Sequence, residues 1–96
     1  MRFEWDKEKN RLNIIKHKIS FEEAETVFDD INAVYIYDEL HSIDEDRYNV
    51  IGMADTINHE ITVCHCYREN DDIIRIISAR KATQNEEEIY KGRIVT

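Results

Sequence analysis

The side chains with the clearest capacity for chemistry are basic. Arg75 interrupts the run Ile73-Ile74-Arg75-Ile76-Ile77, and Arg80-Lys81 closes the same segment. A guanidinium among isoleucines is costly to bury alone, so Arg75 must meet a carboxylate, escape at a sheet surface or face a ligand. A second group, Lys9, Lys16 and His17, recurs on one side of a helical stretch. His17 has a side chain suited to proton transfer near neutral pH, although a histidine at a helix C-terminus also simply favours the helix dipole. His41 and His59 lack basic neighbours in sequence and are weaker candidates. Arginines and lysines with a histidine suit metal-free cleavage of RNA through its 2′-hydroxyl: one group removes the hydroxyl proton, another protonates the leaving oxygen, and cations stabilise the charged phosphorus centre.

Other chemistries are poorly served. The chain has no Gly-rich phosphate loop, no nucleophile elbow, no HExxH and no paired-cysteine zinc signature. Cys64 and Cys66 stand one residue apart, too close for a relaxed disulfide, and read as reduced strand thiols. His65 between them points to the opposite face of a strand, so no metal site and no cofactor is expected.

Net charge at first opposes a nucleic-acid ligand, because 21 acidic residues outnumber 13 Lys and Arg for a total of -8. The charge is segregated: residues 1–20 carry +3, residues 21–72 carry -13 and residues 73–96 carry +2. A fold that joins the two end segments would present a cationic face on an acidic body.

The elements that must achieve this are legible from periodicity and caps. With 96 residues, 2 Gly and no Pro, the chain is expected to be one domain spanning residues 1–96. Phe3 to Trp5 reads as a short extended start, and Asp6 as the N-cap of a helix whose Trp5, Leu12, Ile15 and Ile19 form the apolar side. Ser20-Phe21-Glu22-Glu23 has capping-box spacing and opens a second helix with a buried stripe of Phe21, Ala24, Val27 and Phe28. The period then becomes two: strands are expected over 33–37, 47–53, 60–68 and 73–80, with the last in the sheet interior and short connections implying antiparallel pairing. Thr83-Gln84-Asn85-Glu86 is a second capping box, starting a C-terminal helix through Ile89, Tyr90 and Ile94. The expected fold is α+β: two N-terminal helices, a four-stranded antiparallel sheet and a C-terminal helix. Arg75 and Arg80 are five apart, so sharing a face requires a bulge or twist near Ser78-Ala79. No apolar run reaches the ~20 residues of a membrane span, and Met1 to Asp6 lacks a signal peptide's apolar middle, so a cytoplasmic, membrane-free protein is expected.

Taken in order, Phe3-Glu4-Trp5-Asp6, Lys16-His17, Ile19-Ser20-Phe21-Glu22-Glu23-Ala24, Val27-Phe28-Asp29-Asp30, His41-Ser42, Asp46-Arg47, Ile51-Gly52 and Ile74-Arg75-Ile76-Ile77-Ser78-Ala79-Arg80 resemble the BrnT family of bacterial toxins over about residues 3 to 90. The resemblance implies a RelE-like endoribonuclease that stops translation and growth. It also implies a BrnA-type antitoxin partner, with DNA contacted only through the antitoxin complex. Carried onto this chain, it points to Arg75 and Arg80 as phosphate-binding groups, Arg47 as their support and His17 or a neighbouring lysine as proton shuttle. Lys9, Lys16 and Lys81 then serve as RNA contacts. Arg47 is one of only two bases between residues 21 and 72. Where the resemblance places glycine after the Lys-His pair, this chain has Lys18. The competing reading is a catalytically inert module that pairs with a partner chain.

Overall fold

The computed structural model describes residues 1–92. Asp6 caps helix α1 (Lys7–His17), its carboxylate accepting from the Glu8 and Lys9 amides, which answers the donors left open in a first turn. Ser20 and Glu23 form the reciprocal capping box of the short α2 (Phe21–Glu25), which tightens into a 3-10 turn over Thr26–Asp29. Thr83 and Glu86 do the same for α3 (Gln84–Tyr90). The expected extension of this helix to Ile94 lies outside the described residues.

The sheet departs from expectation. It has five strands in the order β1-β5-β4-β3-β2, with β1 (Arg2–Glu4), β2 (Val34–Tyr37), β3 (Tyr48–Gly52), β4 (Ile61–Arg68) and β5 (Ile73–Lys81). Three pairings are antiparallel, but β1 runs parallel to β5 with Arg2, Phe3 and Glu4 opposite Ile73, Ile74 and Arg75. The sheet is therefore five-stranded and mixed rather than four-stranded and antiparallel. A strand as apolar as β5 needs neighbours on both sides, and the opening residues supply the second one from the far end of the chain.

Helix α2 and the 3-10 turn cover one face, while α3 lies on the other, where Glu86 meets the Thr62 hydroxyl and Arg80. Phe21, Ala24 and Val27 pack on Val50, Ile61, Val63, Ile76 and Ala79 to form the core, with Phe3, Trp5 and Phe28 partly buried at its margin. Gly52 permits the close approach of the 3-10 turn, since a Cβ there would stand 2.9 Å from Val27 Cγ1. Helix α1 is rotated from its expected orientation. Leu12 and Ile15 are 49 % and 58 % exposed, and the one buried residue of α1 is Asn13. Its amide donates to Ile19 O and Ala79 O, and its carbonyl accepts from the Ala79 amide. Those bonds outweigh the greasier side of the helix and turn Lys9, Asn13, Lys16 and His17 toward β5.

Candidate functional site: a cationic cleft on the open sheet face

Strand β5 carries one extra residue. Cys64 lies opposite Ser78, yet His65 lies opposite Ile76, so Ile77 has no counterpart on β4. This bulge resets the alternation, and Arg75, Ser78 and Arg80 lie opposite Cys66, Cys64 and Thr62, which share one strand face. The sequence required an irregularity near Ser78-Ala79; it falls at Ile77.

Two clefts flank the bulge. The larger, about 360 Å³, is lined by Asp38, His41, Arg47, Asn49, Cys64 and Arg80, among others. The smaller, about 240 Å³, lies against α1 and contains Lys9, Lys16 and His17. Ile77 and Ser78 line both, so the clefts are neighbours divided by a low ridge. Residues from both ends of the chain thus meet around β5. Arg75 and Lys81 line neither cleft.

Every guanidinium of interest has a carboxylate beside it. Arg75 Nη1 donates to Glu4 Oε2 at 2.8 Å across the parallel β1–β5 pair. Arg80 forms a two-pronged pair with Glu86, Nη1 to Oε1 at 2.7 Å and Nη2 to Oε2 at 3.0 Å. Burial alone would raise the Glu86 pKa, but the Arg80 hydrogen bonds and charge, the Thr83 amide and the Thr62 hydroxyl outweigh it and hold the carboxyl at about 2. Glu86 was legible as a helix cap, not as the anchor of Arg80. Arg47 is engaged more loosely: its Nε lies 3.6 Å from Glu45 and, although buried, makes no hydrogen bond among the described residues.

The rim opposite Arg80 is a stapled loop. Ser42 Oγ donates to Asp38 O at 2.6 Å and accepts from the Arg47 amide at 2.9 Å, while the Asp38 amide donates to Arg47 O. Within it His41 Nδ1 sits 2.8 Å from Asp38 Oδ2. The His41–Asp38 pair is a feature that the sequence reading passed over; the three-residue spacing inside a turn was its only signal. His17, on the other side of the ridge, is pushed to lower pKa by burial first, then by the Lys16 and Arg80 charges. It is mainly neutral at pH 7 and so better placed to take a proton than to give one. Burial pushes the Cys64 thiol up to about 11, which keeps it protonated. Among the described residues no group of three or more His, Cys, Asp or Glu converges as a cation site.

The structure is thus a small α+β domain in which a cleft beside the β5 bulge is lined by Arg47 and Arg80. The model of the BrnT family, ribonuclease toxins of type II toxin–antitoxin systems, matches residues 5–86, and the chain belongs to that family. Membership makes it a ribonuclease toxin whose partner is an antitoxin. No curated protein matches the chain.

Proposed function

We propose that this toxin is a RelE-like, metal-independent endoribonuclease acting in the cytoplasm, where it cuts RNA and so blocks translation and growth. The observation that carries the proposal is the convergence of Arg47, Arg80 and His41 on one cleft with Lys9, Lys16 and His17 across the ridge. Arg80 and Arg47 bind the scissile phosphate, and their charge is most useful as negative charge grows on its oxygens. His17, neutral at pH 7, takes the 2′-hydroxyl proton. The 2′ oxygen then bonds to phosphorus and the bond to the 5′ oxygen breaks. That oxygen leaves as a hydroxyl on receiving a proton, giving a 2′,3′-cyclic phosphate. His41, held at Nδ1 by Asp38, supplies that proton from its other ring nitrogen. Arg75, on the same face but held by Glu4, is an outlying RNA contact together with Lys9, Lys16 and Lys81.

A BrnA-type antitoxin neutralises the toxin, and the complex reaches DNA only through the antitoxin. The ion pairs at Arg75, Arg80 and Arg47 favour a second reading, an inert module whose role is to pair with its partner. Incubating the purified chain with a synthetic RNA in the presence of a chelator separates the two. A 2′,3′-cyclic phosphate product that is lost in Arg80→Ala and His41→Ala is expected; intact RNA and harmless expression in cells would leave the binding module.

A further inference from the structure

On the sheet face that α2 covers, beyond its reach, the strands expose a shelf of aromatic rings. Tyr35, Tyr48 and Tyr67 come from β2, β3 and β4, with Phe28 from the 3-10 turn beside them. Tyr48 and Tyr67 stand 5.5 Å apart edge to face, and Phe28 lies 6.2 Å from Tyr35. The buried His65 ring forms the floor, 4.9 Å from Phe28 and 5.3 Å from Tyr67. Burial pushes its pKa down, so the floor is uncharged at neutral pH.

Two cavities of about 390 and 350 Å³ open over these rings, and both contain Met1, Tyr35 and Tyr67. Asp29 lines the first and Asp71 the second, and no lysine or arginine lines either. Both carboxylates are exposed and neither forms an ion pair among the described residues. Their charges reach the phenols: Asp29 raises Tyr35 after burial, and Asp71 adds to the rise of Tyr67 behind burial and the Tyr35 and Tyr48 phenols. Tyr35 remains 48 % exposed.

Ring faces with carboxylates at the edge and no lysine or arginine in either cavity attract a cation, best a guanidinium within about 6 Å of a ring centre; Arg68 stands with Tyr48, Tyr67 and Asp71 only in the adjoining cleft. A polyanion is repelled by the same rim, which lies in the segment carrying -13. We infer that the Tyr35–Tyr48–Tyr67 shelf with Asp29 and Asp71 is the surface on which the antitoxin docks, taking an arginine or lysine side chain of a basic antitoxin segment into the ring-lined cavities. The inference rests on the reading that a BrnA-type antitoxin neutralises this toxin. It also separates the docking surface from the cationic cleft, which lies on the opposite sheet face.

The test uses the full chain in two arms. In the first, the tyrosine ring protons are followed by NMR while N-acetyl-arginine amide, its uncharged counterpart N-acetyl-citrulline amide, or an oligoadenylate RNA is added. Saturable shifts at Tyr35, Tyr48 and Tyr67 with the arginine compound alone are expected, weakened at least threefold in Tyr35→Ala. Equal shifts with the citrulline compound, or shifts with RNA instead, overturn the inference. In the second arm, the Asp29→Asn/Asp71→Asn double variant should bind the BrnA-type antitoxin at least tenfold more weakly while cleaving RNA at the parental rate. Asparagine is chosen because it tolerates the positive φ of 70° at Asp71. Full-strength binding by the double variant sinks the docking surface and leaves the antitoxin reading standing; failure of the parental chain to bind the antitoxin sinks both.

Discussion

Asn13 and Ala79, 66 residues apart, exchange two hydrogen bonds: Asn13 Nδ2 donates to Ala79 O at 2.9 Å and the Ala79 amide donates to Asn13 Oδ1 at 3.1 Å. The side-chain amide acts as one more strand partner for β5. It fixes α1 against the bulge and thereby sets the second cleft beside the first. Asn13→Ala leaves three buried backbone groups without partners, since Ile19 O also accepts from Nδ2. A loss of about 2–4 kcal/mol is expected, read as a lower urea midpoint at unchanged slope.

Arg80 and Arg75 should separate in kinetics. Arg80→Ala in a Glu86→Gln background, which avoids stranding the half-buried carboxylate, is expected to lower RNA cleavage by about 10²–10³. Arg75→Ala, whose partner is the half-exposed Glu4, should change cleavage by less than about tenfold and act mainly on KM. Equal losses in both variants would place Arg75 at the phosphate after all.

Acid should weaken the fold in part through Glu86. Its folded-state pKa of about 2 lies below the ordinary carboxylate value of 4.5, so its stabilisation is complete above pH 4.5 and fades as pH falls toward 2. About 2–3 kcal/mol is at stake at neutral pH. Glu86→Gln should flatten the stability profile in that window, as measured by denaturant titration at successive pH values.

Lys18 closes α1 in the left-handed region, φ 61° and ψ 29°, with its amide on Ile14 O. A side chain pays steric strain there that glycine does not. Lys18→Gly is expected to stabilise by about 0.5–1 kcal/mol, visible as a rise of several degrees in Tm.

Local signals in the sequence were reliable because their physics is local. Asp6, the Ser20–Glu23 pair and the Thr83–Glu86 pair all cap the helices they were expected to cap. The strand limits fell within a residue or two of the expected runs. What escaped depended on distant partners. Three residues of β1 cannot be told from a loop until β5 is in place, and Glu4 cannot be matched to Arg75 until the parallel register is known. The facing of α1 differs from expectation because the single buried Asn13 amide outcompetes Leu12 and Ile15. At the site, the basic residues of α1 and β5 were legible as a group, whereas the Asp38–His41 pair and the Glu86 anchor required the loop and α3 to be folded.

The parallel join of residues 2–4 to residues 73–75 also governs when the toxin becomes dangerous. An emerging polypeptide must hold its opening strand idle until the isoleucine-rich strand has left the ribosome, because closing so long a loop carries an entropic cost that only the finished pairing repays. Before that moment α1 has no bulge to lean on and the basic side chains of the two ends remain apart. The delay is written into the topology, since no cleft can form until both ends of the chain are free to pair.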